Sequence, residues 1–326
     1  MNRFRTLLPA VTKLLLAAVI VYFAATTITL EPAELVSYFR HAGFLFYVSL
    51  LLFTVFLLLQ AFIWTAILND SSRQLSFRDG LLVYINSQFA KYIPGGFWNY
   101  AGRVVLASRK GVPFDIQMST IVYENVLLVL AASMYALILL ADLGEIPLYS
   151  LALLALLLTL LYLFFNPVSA AVNRCLQLLM RRLGTHRFTE RFAARFAESL
   201  DRPLFTLQRN RFFLYFGYFM VSHFIMGISF WLLLKSFHIQ HVGIFYAAGT
   251  FASAWLLGLL SPLPGGLGVR EGLLVYLLSF QTDTAAALHL SVIARIWNMA
   301  GELLFWAMMN AVHYITKKRM RAHDAK

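Results

Sequence analysis

Apolar residues run along most of this chain in long blocks separated by short polar intervals, and six of the blocks are long enough to cross a bilayer. A spanning helix needs about 20 mostly apolar residues for roughly 30 Å of hydrocarbon. The blocks at 11–30, 43–68, 115–141, 148–165, 212–234 and 284–312 meet that length, each bounded by charged or turn-forming residues. The first is too long and too late for a cleaved signal and reads as retained. Two further apolar stretches, 80–108 and 243–280, are interrupted by Pro94-Gly95-Gly96 and Pro264-Gly265-Gly266. Proline removes a backbone donor and paired glycines tolerate non-helical backbone, so each stretch predicts helix, turn and second short helix. Irregular backbone at membrane depth is tolerated where protein or a water-filled cavity shelters it, which makes both stretches candidate re-entrant hairpins. The expected fold is an all-α integral membrane protein, one polytopic domain over 1–326.

Composition agrees with the pattern. The 326 residues are 60% hydrophobic and 13% charged, with a mean hydropathy of +0.71, against about 45–50% apolar and about 25% charged in soluble domains. The net charge of +12 would point to nucleic acid in a soluble protein. With six spans, two hairpins and the N-terminus on the cytoplasmic side, the positive-inside rule accounts for it instead. Inside segments then sum to +15, outside segments to −3, and the remaining Lys91, Glu124, Arg270, Glu271, Arg295 and Glu302 to zero, with Arg103 counted among the inside residues. Both termini are cytoplasmic on this reading, and no nucleic-acid partner is expected. The single cysteine, Cys175, excludes an internal disulfide.

The same topology makes residues 148–312 trace the path of 1–141 upside down. The two Pro-Gly-Gly turns lie 170 residues apart, and Glu124 and Arg295 follow Pro94 and Pro264 by 30 and 31 residues. Inverted repeats whose broken helices meet near the midplane are a recurrent transporter architecture.

Charges in hydrocarbon cost about 2.5–3.5 kcal/mol each on insertion scales, so such residues face a partner or a cavity. Ser291, Arg295, Asn298 and Glu302 form one helical stripe, and Gln117, Thr120 and Glu124 a weaker one. Arg295 either pairs with Glu124 or Glu302 as structural glue or holds an anionic headgroup while Glu124 balances the charge or carries a proton, and both can hold at once. In the second hairpin, Gly265, Gly266 and Gly268 leave backbone N–H groups at a helix start suited to phosphate, and Arg270 adds a planar fork. Glu271 then pairs with Arg270 or meets an incoming cation. Lys91 precedes the first turn, where it is a candidate substrate contact. Arg103 after that turn either faces the cavity or snorkels to the inner surface. His223 reads as a packed hydrogen-bonding residue.

The segment 166–211 carries Phe188, Phe192, Phe196 and Leu200 at four-residue spacing, interleaved with Arg187, Arg191 and Arg195. It is expected to be a basic amphipathic loop on the anionic inner leaflet or a partner-docking surface. The histidines lack metal-ligand spacing and no nucleophile elbow occurs. No catalytic residues, metal or cofactor are therefore expected.

The two hairpins support a family resemblance. Lys91 through Trp98, Gly102-Arg103-Val104, Arg109-Lys110-Gly111-Val112 and Val122-Tyr123-Glu124 resemble the first signature of the flippase-like membrane domain of lysylphosphatidylglycerol synthases. Ser261 through Gly272, followed by Arg295, resembles the second, written P-G-G-L-G-V-R-E. Gly96 stands where many members carry a basic residue, and Asn125 where many carry Arg. In full-length synthases such a domain precedes a soluble aminoacyl-transferase. The present chain ends soon after the sixth block, so the resemblance implies a stand-alone, non-enzymatic protein of a bacterial or archaeal inner membrane. The expected function is translocation of an anionic phospholipid or a polyprenyl-phosphate-linked lipid, with Lys91, Arg103, Arg270, Arg295 and the Gly-rich turn on the substrate and Glu124, Glu271 and Glu302 balancing charge. The alternative is a non-transporting lipid-binding subunit that docks a glycosyltransferase or lipid-modifying enzyme on its basic loop. A third is an intramembrane transferase acting through Glu124 or Glu271.

Overall fold

The structure, a computed structural model, describes residues 42–70, 72–92, 98–147, 149–184, 206–261 and 263–324. The expected first span at 11–30, the Pro94-Gly95-Gly96 turn and the amphipathic segment from Phe188 to Leu200 lie outside the described residues. Within them every regular element is helical. The helices are α1 (Phe44–Leu68), α2 (Phe77–Gln88), α3 (Trp98–Ser108), α4 (Phe114–Asp142), α5 (Tyr149–Leu163), α6 (Phe165–Gly184), α7 (Arg209–Ser236), α8 (Ile244–Leu260), α9 (Val269–Leu278) and α10 (Thr284–Asp324).

By length and composition α1, α4 and α7 are able to cross a membrane, and α5 with residues 165–172 of α6 makes a fourth crossing if that pair, bent by 81°, is one span. This is a membrane protein. The block at 148–165 thus falls on a bent helix pair, because the helix turns at Phe164. The block at 284–312 sits inside α10, 41 residues long, where Arg295, Asn298 and Glu302 dilute the apolar character.

In both interrupted stretches the described residues form a helix on either side of the Pro-Gly-Gly segment. In the first, α2 begins at a tight cap: the Ser76 hydroxyl accepts the Asp79 N–H at 3.1 Å and donates to the Asp79 carboxylate at 2.7 Å. Lys110 reaches the same carboxylate from beyond α3 at 2.8 Å. The Lys110 and Ser76 hydrogen bonds hold the Asp79 carboxyl below the usual carboxylate range. A 3-10 turn, Phe89–Tyr92, ends this helix. In the second stretch, α8 ends at Leu260 and a 3-10 turn, Pro264–Gly266, leads to α9. Gly265, Gly266 and Gly268 all have positive φ, at 57°, 69° and 81°, a region open chiefly to glycine. Gly266 has a second constraint, since a Cβ there would lie 2.7 Å from Gly258 Cα.

The packing is symmetric under exchange of α1, α2, α3 and α4 with α7, α8, α9 and α10. Where α1 packs on α2, α7 packs on α8; α4 on α8 is matched by α10 on α2, and α1 on α10 by α7 on α4. The two 3-10 turns touch each other, and α1 packs on α7 at the centre of the exchange. There the Ser49 hydroxyl donates to the Ser229 carbonyl at 2.8 Å and the Ser229 hydroxyl to the Ser49 carbonyl at 2.6 Å. Phe53, Phe230, Phe251 and Trp297, one from each of α1, α7, α8 and α10, stack into a buried aromatic cluster with neighbouring centroids as close as 4.3 Å.

Small residues set the helix spacing. A Cβ on Gly249 of α8 would meet Leu139 Cβ at 2.5 Å and the Tyr135 carbonyl oxygen at 2.7 Å on α4, whereas one on Gly217 of α7 meets nothing within 4 Å. Gly249→Ala is expected to lower stability by about 1–3 kcal/mol through overpacking, because a backbone carbonyl cannot swing aside. Gly217→Ala is expected to be neutral or stabilising by up to about 1 kcal/mol through helix propensity. Thermal unfolding of the two variants in the same detergent checks the contrast, and equal melting temperatures would refute it.

Candidate functional site

Where the two breaks meet, the interior opens into a cavity of about 130 Å³. Its lining draws on both quartets. Tyr84, Gln88, Lys91, Asn99, Tyr100, Arg103 and Glu124 come from the first, and Trp255, Gly258, Gly265, Gly266, Arg270, Arg295 and Asn298 from the second. Seven of the ten residues singled out from sequence line this one space: Lys91, Arg103, Glu124, Gly265, Gly266, Arg270 and Arg295. Glu271 and Glu302 pair with the lining residues Arg295 and Lys91, and Gly268 bonds Glu271.

Ion pairs between described residues hold the lining. Arg103 of α3, 2% exposed, donates from Nη1 to Glu124 Oε2 of α4 at 2.6 Å. Its guanidinium lies 4.1 Å from the Tyr84 ring centroid and 5.2 and 5.7 Å from those of Trp64 and Tyr100. Cation–π contact of this kind is worth about 2 kcal/mol or more when desolvated. The ring of Tyr100 is held in turn by its hydroxyl, which donates to Asn125. The second pair has the opposite polarity: Glu271 of α9 accepts from Arg295 of α10 at 3.1 Å. In both quartets the pair ties the short helix after the break to the long helix that follows. The third, Lys91 with Glu302, crosses between quartets and fastens the first 3-10 turn to α10.

Arg295 also organises the glycine-rich turn. Its Nη1 donates to the Gly265 carbonyl at 3.0 Å, while the other Glu271 carboxylate oxygen accepts the Gly268 N–H at 2.8 Å. The donors expected to stand free at the start of α9 are therefore partly used: Glu271 caps Gly268, and the Gly266 N–H bonds the Leu263 carbonyl at 3.0 Å.

The sequence offered Glu124 or Glu302 as partners of Arg295, and Arg270 as the partner of Glu271. The geometry gives Arg295 to Glu271, Glu124 to Arg103 and Glu302 to Lys91. Arg103, counted with the inner-surface residues in the charge partition, is enclosed and belongs with the interior charges. Arg270, 8% exposed, lies with its guanidinium carbon 4.6 Å from the Phe251 centroid.

Other residues of the two polar stripes do different work. Asn298 lines the cavity, but Ser291 bonds the Leu288 carbonyl within its own helix. Gln117 bonds Ser108 and the Val112 carbonyl, bracing the turn between α3 and α4. His223 is buried with Nδ1 2.8 Å from the Phe219 carbonyl, its ring set against Phe56, Tyr135 and Trp255. Sequence reasoning missed Trp64, Tyr84, Tyr100, Phe251 and Trp255. Tyr100 was within reach, three residues before Arg103 and so on the same helical face; the others are brought in from distant helices.

A family model, lysylphosphatidylglycerol synthase TM region, matches residues 10–304. No curated protein and no solved structure matches the chain.

Removing one partner of a buried ion pair strands the other charge, at a cost of about 3–5 kcal/mol. Glu124→Gln is expected to lower the melting temperature sharply in detergent, and Arg103→Met with Glu124→Leu to recover most of the loss. A double variant as unstable as the single would show that pairing is not what makes Arg103 tolerable there.

Proposed function

The chain belongs to the lysylphosphatidylglycerol synthase TM region family, and we propose that this member moves an anionic phospholipid or a polyprenyl-phosphate-linked lipid across the inner membrane without chemically altering it. The observation that carries the reading is the cavity at the meeting of the two breaks, lined by Lys91, Arg103, Arg270 and Arg295 from both quartets. Four cations around one internal space are costly in a membrane protein, and a phosphate headgroup is a ligand whose oxygens suit guanidinium forks. The apolar part of the lining, Leu128, Trp255, Leu259 and Leu263, continues outward to Leu257 and Leu260, which are 44% and 67% exposed on α8. Acyl or prenyl chains remain in the bilayer on this reading while the headgroup occupies the cavity.

The two quartets are read as inverted repeats, spanning 1–141 and 148–312, with re-entrant hairpins that approach the midplane from opposite sides and both termini in the cytoplasm. The exchange-symmetric packing, the reciprocal Ser49 and Ser229 bonds and the ion pairs of opposite polarity support this arrangement. Movement of one quartet against the other would expose the cavity to alternate sides.

The test is lipid movement in proteoliposomes loaded in turn with labelled phospholipids and polyprenyl phosphates. The wild-type protein is expected to accelerate at least one of them over empty vesicles. Arg295→Gln removes charge-assisted hydrogen bonds worth about 1.5–3 kcal/mol and strands Glu271, so the rate per folded protein is expected to fall about ten- to hundredfold, with Arg295→Lys, which keeps the charge, falling less. No acceleration of any lipid by the wild type would end the proposal.

A further inference from the structure

We infer that the cavity is sized for a bare lipid phosphate, a phosphate monoester, rather than for a phosphodiester that carries glycerol or a sugar. This rests on reading the cavity as the headgroup site and names the class of lipid that enters it. Volume is the first ground. An apolar cavity of roughly 150 Å³ holds benzene, with about six non-hydrogen atoms, and the cavity here is about 130 Å³. A phosphate group, one phosphorus with its oxygens, fills such a space. By the same measure, glycerol on that phosphate roughly doubles the atoms to be housed, and a hexose roughly triples them.

The walls leave little slack. On one side Gly258 and Gly266 meet through main chain, and a Cβ on Gly266 would lie 2.7 Å from Gly258 Cα. Elsewhere Arg103 is bound to Glu124 at 2.6 Å and set against the Tyr84 ring, while Arg295 is held by Glu271 and the Gly265 carbonyl. Widening the space there would break buried ion pairs, which is costly. Hydrogen bonding points the same way. Asn99 and Arg103, one turn apart on α3, both line the cavity. Arg103 Nε is a buried donor without a hydrogen-bond partner, and Asn99 Oδ1 a buried acceptor without one; leaving such groups unmet is expensive. A phosphate monoester accepts through its terminal oxygens, and because its second ionisation falls near neutral pH one of them also carries a proton to donate. The phosphate of a diester accepts but has no proton to give.

Two lipids end in this group: phosphatidic acid and a polyprenyl monophosphate. The full chain in detergent is titrated with both, and with the matching diesters phosphatidylglycerol and a glycosyl polyprenyl phosphate, with bound lipid read by native mass spectrometry. At least one monoester is expected to bind about tenfold or more tighter than the diester built on the same chain. The tighter monoester identifies the source. Inorganic phosphate at the lipid's own concentration is expected to leave it bound, and displacement there would overturn the assignment to a lipid.

Trp255→Ala and Leu259→Ala each take side-chain volume from the lining without changing its charge, and are expected to shrink the preference by admitting the diester. Asn99→Leu removes the acceptor at similar volume and is expected to weaken the monoester about three- to tenfold with the diester little changed. A purely structural role for any of the three would alter the melting temperature without reordering the lipids. Should Trp255→Ala fail to fold, Leu259→Ala and the wild type still decide the matter. Diesters bound as tightly as monoesters by the wild type, or no lipid bound at all, overturns the inference. So does a preference that the enlarged cavity leaves unchanged, since charge rather than size would then set it. Movement of diesters without a monoester preference would remove this inference and leave transport standing. A monoester preference without movement would do the reverse.

Discussion

A cation inside a membrane protein has to be met by an opposite charge, by water or by a π face, because hydrocarbon offers none of these. Arg103, Arg295 and Lys91 are met by Glu124, Glu271 and Glu302, and Arg270 by the ring of Phe251. These contacts also decide where the backbone can go. Each carboxylate pair has one end next to a break and the other on a long helix, so satisfying the charges fixes the short helices α3 and α9 against α4 and α10. The irregular backbone at the second break persists because Arg295 and Glu271 occupy its exposed carbonyl and amide. The polar interior and the broken helices are thus one solution to one problem, since neither would be stable in lipid without the other.

The exchange of partners between the quartets extends that logic. Buried ion pairs are poor sources of stability, and desolvation takes back most of what attraction supplies. Cohesion comes instead from apolar packing: the Phe53, Phe230, Phe251 and Trp297 cluster, and the close approaches at Gly227, Gly249 and Gly301, where a Cβ would lie within 2.6 Å of a neighbouring side chain. Tight crossings through small residues are how helices associate in lipid, where no hydrophobic force separates them from solvent. The charged groups therefore place the short helices around the cavity, while apolar packing supplies the net cohesion.

Much of this was legible in the sequence, and the limits have a physical shape. Helices α1, α4 and α7 follow from apolar length alone, and the second break from Pro264 and the glycines, since those residues act locally. The charge-bearing motif from Ser261 to Gly272 was sufficient to point to the family. What sequence did not supply is pairing. Arg295 was offered Glu124 or Glu302 on grounds of helical spacing and mirrored position, yet Glu271 is its partner because the turn folds α9 back beside α10. Arg103 looked equally suited to the surface, since snorkelling depends on depth and depth depends on where α3 docks. Tyr84 and Trp64, which face its guanidinium, are separated from it by 19 and 39 residues and carried no signal at all.

The contact between Gly258 and Gly266 gives the cavity an uneven character. On that side the wall is bare main chain, with no side chain at either position and, at Gly266, no room for one. Main chain held between helices has no rotamers to change, so this wall is a rigid template. The facing wall is built from lysine and arginine side chains with several rotatable bonds each. Any guest is therefore fitted from one side only, with the template setting its depth and the long side chains doing all of the accommodating.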